Sequence, residues 1–156
     1  MIFMLMQQAL FYWEKLNRQV IIMERKKIND SYSVSGQVTV DDIAQLKSEG
    51  VKTLVCNRPD HEDAGQPEVE TIKAVAEMAG LAFYFLPVPS GQVTQSQGEE
   101  FSHILDKAPK PIHAFCRSGT RCTILWAITQ LMAGEDKIAV IKKAANAGYD
   151  LSKTFQ

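Results

Sequence analysis

One short segment, "HAFCRSGTR" (113–121), contains the residue types that a nucleophilic enzyme needs. Cys116 supplies a sulfur nucleophile, Gly119 permits a tight backbone turn, and Arg121 supplies a planar cation. A loop whose backbone N–H groups face inward, followed by the start of a helix, attracts an anion and also stabilises a thiolate. A guanidinium group can bind two oxygens of a phosphate at once. The segment therefore predicts a reactive cysteine in an anion-binding loop.

The simpler interpretation of Cys116 is a buried apolar thiol, which is what a single cysteine usually is. The fixed spacing of Gly119 and Arg121, between an apolar run and a helical pattern, favours the functional interpretation. Cys116 is then the predicted nucleophile and Arg121 the predicted anion clamp. The residues between them are predicted to bind the substrate: Arg117, Ser118, Gly119 and Thr120.

Short β-rich runs alternate with helical patterns along the chain from about residue 31. Strands are predicted over 32–37, 51–56, 81–88 and 110–115, and helices over 40–50, 67–80, 94–107, 122–134 and 135–147. This alternation predicts an α/β fold, with a mostly parallel sheet of four to five strands and helices on both faces. Ligands bind at the carboxyl ends of the strands in such a sheet, and Cys116 follows a strand that we expect to be central.

Length and composition limit the classes of protein that the chain can represent. Its 156 residues are enough for one domain, and 46% apolar and 22% charged residues are typical of a globular protein. The formal net charge of −1 and the lack of a basic stripe argue against nucleic-acid binding. Three cysteines without metal-ligand spacing predict reduced thiols, a cytoplasmic location, and neither a metal nor another cofactor.

The first residues form an apolar segment that we expect to be an amphipathic helix over 3–22. Gln7 and Gln8 interrupt the apolar run, and it is too short to span a membrane. We therefore predict a helical extension over 1–27, followed by the α/β domain over 28–156. Packing of the extension on its own domain or on a second copy, as a homodimer, would cover four large side chains: Phe3, Leu5, Phe11 and Trp13.

The segment "CRSGTR" resembles the phosphate-binding loop of cysteine-dependent tyrosine and dual-specificity phosphatases. The chain is most similar to the bacterial phosphatase-like family whose members also occur fused to β-lactamase-hydrolase-like proteins. The resemblance begins near residue 28 and includes "VSGQVTVDDI", "VKTLVCNRPDHE" and "FYFLPVPSG". It implies a cysteine-phosphatase fold and a substrate that is a phosphorylated small molecule or phosphoprotein, including phosphotyrosine. It also implies that Cys116 forms a phosphocysteine intermediate and that Arg121 clamps the phosphoryl group.

Two departures from the usual phosphatase loop leave other functions open. Four residues separate Cys116 from Arg121 where five are usual, and Cys122 stands at the usual arginine position. Phe115, rather than histidine, precedes the nucleophile. A shorter loop is also similar to that of rhodanese sulfurtransferases, in which the cysteine carries a persulfide. A catalytically weak phosphate-binding module is the remaining alternative.

A general acid is the last component that the predicted reaction needs. Related phosphatases often place an aspartate after the strand that corresponds to "FYFLPV", but the loop that follows it here has no carboxylate before Glu99. The polar loop "NRPDHEDAG" (57–65) offers Asp60, which we predict to be the acid, and then Asp63. Two histidines receive no catalytic role: His113 is expected in the core and His103 on a helix surface.

Overall fold

A five-stranded sheet forms the centre of the computed structural model, which describes residues 2–19 and 23–156. Its strands lie in the order β1-β2-β5-β3-β4, so the strand that leads to Cys116 is central, as predicted. Four of them are parallel, and β1 pairs antiparallel with β2 at one edge. The strands are β1 (Lys26–Lys27), β2 (Tyr32–Ser35), β3 (Thr53–Cys56), β4 (Ala82–Phe85) and β5 (Ile112–Phe115).

Helices cover both faces of this sheet, which confirms the predicted α/β layers. On one face α4, α5 and α6 pack over Val34, Val55 and Ala114, and on the other α2 and α3 pack over Leu54 and Phe115. Successive strand residues point to opposite faces, so both faces of the central strands are apolar. The helices are α1 (Ile2–Gln19), α2 (Val40–Ser48), α3 (Val69–Met78), α4 (Gln95–Lys107), α5 (Thr120–Met132) and α6 (Lys137–Asn146).

Helix α5 begins two residues earlier than the sequence pattern predicts. Gly119 is its N-cap, with a positive φ of 92°, and the helix starts at Thr120 instead of Cys122. A left-handed conformation is readily adopted by glycine, so the chain can turn sharply and enter the helix at once. Arg121 therefore lies in the first turn of α5 and not in the preceding loop, and the helix holds its backbone.

Strand β4 is shorter and less buried than its apolar sequence predicts. It covers four residues of the predicted 81–88 and lies at the edge of the sheet, where Phe85 is 44% exposed. Hydrophobicity alone does not distinguish an edge strand from a central one, because the order of strands depends on crossover connections. Leu86 and Val88, which follow it, are nevertheless buried.

Helix α1 carries exposed apolar side chains along the part whose side chains are described. Phe3, Leu5, Phe11 and Trp13 are each at least 63% exposed, so none of them is covered by its own domain. The predicted helix is present from Ile2 to Gln19, and its last predicted residues, 20–22, lie outside the described residues. No helix within 2–19 and 23–156 combines the length and apolar character that crossing a membrane requires.

Candidate active site

The loop from Cys116 to Gly119 lies where the carboxyl end of β5 meets the start of α5. Its backbone is anchored to the neighbouring strand β2, because the Cys116 N–H donates to the Ser35 carbonyl at 3.4 Å. Gly36, just beyond β2, allows close approach of the loop: a Cβ there would lie 2.9 Å from the Arg117 carbonyl oxygen. Of the predicted substrate-binding residues 117–120, Ser118 and Gly119 act on the Cys116 sulfur through their backbone N–H groups.

Cys116 is fully buried, and its surroundings favour the thiolate. Its pKa is lowered to about 5, first because the Cys122 thiol hydrogen-bonds to the Cys116 sulfur. Burial opposes this effect, but backbone N–H groups of Cys122, Ser118 and Gly119 reinforce it. The Gly119 N–H lies 3.1 Å from Sγ. A thiolate held in this way is the reactive form of cysteine.

The other two cysteines differ from Cys116 in their electrostatic environment. Burial raises the pKa of Cys56 to about 12, and burial together with the neighbouring Cys116 sulfur raises the pKa of Cys122 well above its usual value. Both thiols therefore remain protonated at neutral pH. Cys122, at the position that departs from the usual phosphatase loop, thus acts as a donor to the Cys116 sulfur.

Arg121 lies beside the loop and is held by a carboxylate that the sequence did not single out. Its Nη1 and Nη2 donate to the two oxygens of Glu62 at 2.7 and 2.8 Å, and Nη1 also donates to the Val88 carbonyl at 2.9 Å. These contacts occupy the end of the guanidinium group. Among the described residues nothing accepts from its Nε–H or from the second N–H of Nη2, and this edge matches two oxygens of a phosphate.

Glu62 belongs to a larger ion-pair network. Arg58 is buried and donates from Nε to the same carboxylate at 2.9 Å, and from Nη1 to Gln37 at 2.9 Å. The pKa of Glu62 is lowered to about 2, chiefly by the hydrogen bonds from Arg121, so the carboxylate is ionised at neutral pH. Such a group can orient an arginine but cannot donate a proton in the physiological range. The polar loop 57–65, from which the predicted acid comes, thus borders the site.

The two predicted acid candidates lie in the same loop. Asp60 is half-buried, and its Oδ1 accepts a hydrogen bond from the Val69 N–H at the start of α3 at 2.9 Å. Asp63 accepts from Arg58 and lies 3.5 Å from the Nε of Arg117. Asp63 is therefore engaged by two cations, whereas no described residue donates to Oδ2 of Asp60.

A cavity of about 300 Å³ opens over the loop. Its lining includes Ser118, Thr120 and Arg121 together with the apolar side chains of Val93 and Ile124. Arg117, which is 66% exposed in its side chain, also lines it. The cavity therefore offers both a cation for an anionic group and apolar contacts.

The two histidines lie where the sequence placed them. His103 is exposed on α4. His113 is on β5 and fully buried. Its ring nitrogens are hydrogen-bonded to Ser33 and Ser35 of β2 at 2.9 and 2.8 Å. His113 is thus a satisfied core residue that supports the strand next to the loop.

Sequence reasoning missed three contributors to the site: Glu62, Arg58 and Tyr149. In the sequence, Glu62 and Arg58 are visible only as members of the polar loop 57–65. Which way this loop faces relative to Arg121 depends on how β3 lies beside β5. Tyr149 follows α6 and donates to the Ser118 carbonyl at 2.9 Å. No local pattern in the sequence connects residue 149 with residue 118.

The chain is similar in sequence to phosphatase-like domains of β-lactamase hydrolase-like proteins. The family model for the phosphatase-like domain of β-lactamase hydrolase-like proteins matches residues 24–133. A β-lactamase hydrolase-like protein of Xylella fastidiosa (strain Temecula1) is 29% identical over 127 residues, or 81% of this chain. A relative from Agrobacterium fabrum (strain C58) is 29% identical over 130 residues, or 83% of the chain. The chain spans about 30% of the length of these curated relatives.

Solved structures agree with the family match. A Neisseria meningitidis Z2491 protein, nma1982, provisionally assigned as a phosphatase, is 34% identical with a TM-score of 0.75, over 85% of this chain and 92% of its own. A cysteine-to-serine variant of P. aeruginosa TpbA, in complex with pTyr, shares the fold at 18% identity and a TM-score of 0.62. That alignment covers 86% of this chain and 78% of the other. The fold is thus of the cysteine-phosphatase type, and the chain belongs to the family of the phosphatase-like domain of β-lactamase hydrolase-like proteins.

Proposed function

We propose that the protein is a cysteine-dependent phosphatase that hydrolyses phosphate monoesters through a phosphocysteine intermediate. The observation that carries this proposal is the Cys116 sulfur, whose thiolate is favoured first by the Cys122 thiol and then by backbone N–H groups of the loop, with the Arg121 cation close to it. A nucleophile with a lowered pKa inside an anion-binding loop is suited to attack a phosphoryl group. Arg121 lines the cavity over the loop despite the four-residue spacing, which supports its proposed role as the phosphoryl clamp.

The reaction would proceed in two steps. In the first, the Cys116 thiolate attacks phosphorus, an S–P bond forms, and the ester P–O bond breaks as the leaving oxygen takes a proton from the general acid. In the second, water gives a proton to the carboxylate that the acid has become and attacks the phosphocysteine, the S–P bond breaks, and orthophosphate leaves with the thiolate and the acid restored. The loop N–H groups and the unoccupied edge of Arg121 would stabilise the phosphoryl oxygens in both steps.

Asp60 remains our proposed general acid. Glu62 is ionised and holds Arg121, and Asp63 is engaged by Arg58 and Arg117. Asp60 has one oxygen at the start of α3, so its other oxygen is available to carry a proton. The loop that contains it already contacts the site through Glu62.

The cavity supports an aryl phosphate as the substrate group, including phosphotyrosine. Val93 and Ile124 offer apolar contacts above the anion site, where an aromatic leaving group would lie. The TpbA structure contains pTyr bound to a protein of the same fold, which makes this substrate class a suitable first choice. Both a phosphoprotein and a phosphorylated small molecule present such a group.

The proposal is tested by offering the purified protein p-nitrophenyl phosphate and, separately, thiosulfate with cyanide. We expect hydrolysis of the first substrate, which Cys116→Ser abolishes and the matched Cys56→Ser variant retains, because the Cys56 thiol is protonated and lies outside the loop. Thiocyanate formation without phosphate release would instead identify a rhodanese-like sulfurtransferase. Phosphate binding without either reaction would identify a binding module.

A further inference from the structure

The chain after α6 forms one side of the phosphate-binding loop. Leu151 is buried, and Tyr149 and Phe155 pack against the same core cluster as α5. The Tyr149 N–H donates to the Ala144 carbonyl at 2.9 Å, so this segment continues directly from the last turn of α6. These residues lie beyond the 24–133 region that the family model matches.

The hydroxyl group of Tyr149 meets the loop at one peptide group. It donates to the Ser118 carbonyl oxygen at 2.9 Å. The ring lies so close that a Cβ at position 119 would be 2.2 Å from the hydroxyl oxygen, and Gly119 also has a positive φ of 92°. Gly119 is thus needed both for its conformation and for the space that Tyr149 occupies.

The two ends of this peptide group face opposite partners. In a trans peptide the C=O of one residue and the N–H of the next point in opposite directions. The carbonyl of Ser118 therefore points outward to Tyr149 while the N–H of Gly119 points inward to Cys116 Sγ, 3.1 Å away. If the peptide rotated, a carbonyl oxygen would face the sulfur and repel an anion.

We propose that Tyr149 is a positioning residue, which locks the Ser118–Gly119 peptide so that its N–H faces the thiolate and the transferred phosphoryl group. The hydroxyl contacts a backbone carbonyl and not the reacting atoms, so its effect passes through the loop. The catalytic part of this inference rests on the proposed phosphatase function, but the effect on the sulfur does not.

The test compares Tyr149→Phe with Tyr84→Phe. Both substitutions remove one hydroxyl from a half-buried tyrosine, but Tyr84 lies on β4 beneath Lys107 and makes no hydroxyl hydrogen bond to a described residue. The pH dependence of Cys116 alkylation by iodoacetamide, followed by mass spectrometry of its peptide, reports thiolate formation without any turnover. Activity on p-nitrophenyl phosphate and thermal unfolding are measured in parallel.

We expect Tyr149→Phe to move the Cys116 alkylation profile toward higher pH by about 0.4–1 unit, the range of one neutral hydrogen bond. Hydrolysis of p-nitrophenyl phosphate should fall by about two- to tenfold in kcat/KM. Tyr84→Phe should change neither. An unchanged alkylation profile would overturn the positioning role, whatever happens to the rate or the thermal stability. A shifted profile in a protein without phosphatase activity would retain the positioning role and reject the proposed function.

Discussion

The thiol of Cys122 acts on the sulfur that we expect to react. It is fully buried and protonated, and it is the largest cause of the lowered pKa of Cys116. A hydroxyl group in the same place could donate in the same way, whereas a methyl group could not. The residue that departs from the usual loop pattern therefore tunes the nucleophile.

We predict that Cys122→Ala raises the pKa of Cys116 by about one unit, because one hydrogen bond to the thiolate is lost. Cys122→Ser should keep the pKa near that of the wild type. The Cys116 thiol must lose its proton before it can react. The acid limb of the activity profile, near pH 5 in the wild type, should therefore move to higher pH only in the alanine variant. Rates of Cys116 alkylation across pH check this, and equal profiles for both variants would contradict it.

Glu62 holds Arg121 through two hydrogen bonds, so a change at Glu62 should be felt at the phosphate site. Glu62→Gln removes the charge and places an amide N–H₂ against the guanidinium group. The loss of a charge-assisted contact of about 1.5–3 kcal/mol predicts a fall of about ten- to hundredfold in kcat/KM for an aryl phosphate. The matched control is Glu70→Gln, an exposed residue in the first turn of α3. Wild-type kinetics in Glu62→Gln would show that the pair does not position Arg121.

Asp60 has a test that separates its two roles. If it protonates the leaving oxygen, Asp60→Asn should slow hydrolysis of aryl phosphates with poor leaving groups. Substrates with very good leaving groups should be almost unaffected. An asparagine oxygen can still accept from the Val69 N–H, so α3 should keep its start. Wild-type rates on a poor leaving group would leave Asp60 as a helix-capping residue only.

At the scale of elements, strands β2 and β5 share a buried histidine. His113 lies between Ser33 and Ser35, and burial lowers its pKa to about 3, with Arg25 contributing in the same direction. The ring is therefore neutral in the folded protein at pH values where the unfolded chain already binds a proton. The free energy of unfolding therefore falls as the solution becomes more acidic.

The resulting pH dependence can be stated with its sign. The contribution of neutral His113 to the free energy of unfolding is fully present above the unfolded pKa of about 6.5. It is lost as the pH falls from there toward 3. The slope should approach about 1.4 kcal/mol per pH unit near pH 5. Urea unfolding between pH 7 and 5 measures it. His113→Gln should lower the free energy of unfolding overall and remove most of this slope. The control, His103→Gln at an exposed position, should retain the slope. A slope unaffected by His113→Gln would contradict its assignment to His113.

At the scale of the whole molecule, α1 leaves a series of apolar side chains in contact with solvent. Phe3 is 80% exposed and Trp13 63%. The predicted boundary between an extension over 1–27 and an α/β domain over 28–156 needs one change, because β1 (Lys26–Lys27) pairs with β2 and belongs to the sheet. We propose that the extension ends before β1 and is the contact that joins two copies. Gel filtration coupled to light scattering should show a dimer for the full chain and a monomer after deletion of residues 1–22. A dimer that survives the deletion would exclude this route.

The local sequence was sufficient to predict most elements and their layers. Capping pairs at Thr39 with Asp42 and at Thr94 with Gln97 begin α2 and α4 within one residue of the predicted starts. Side-chain hydrogen bonds within four residues explain this success, because they do not depend on distant contacts. The boundary of α5 was wrong by two residues because Gly119 adopts a left-handed conformation, which lets the chain enter the helix directly at Thr120.

Cys116 and Arg121 could be found from the sequence by themselves, since their spacing within one strand–loop–helix unit brings them to the same place. The ionisation of Cys116 and the orientation of Arg121 could not be predicted in this way. The ionisation of Cys116, the orientation of Arg121 by Glu62, and the contact of Tyr149 with Ser118 all join parts of the chain distant in sequence or depend on side-chain direction. Hydrogen bonds and desolvation act over a few ångströms in space, and only the tertiary structure decides which distant residues lie within that range.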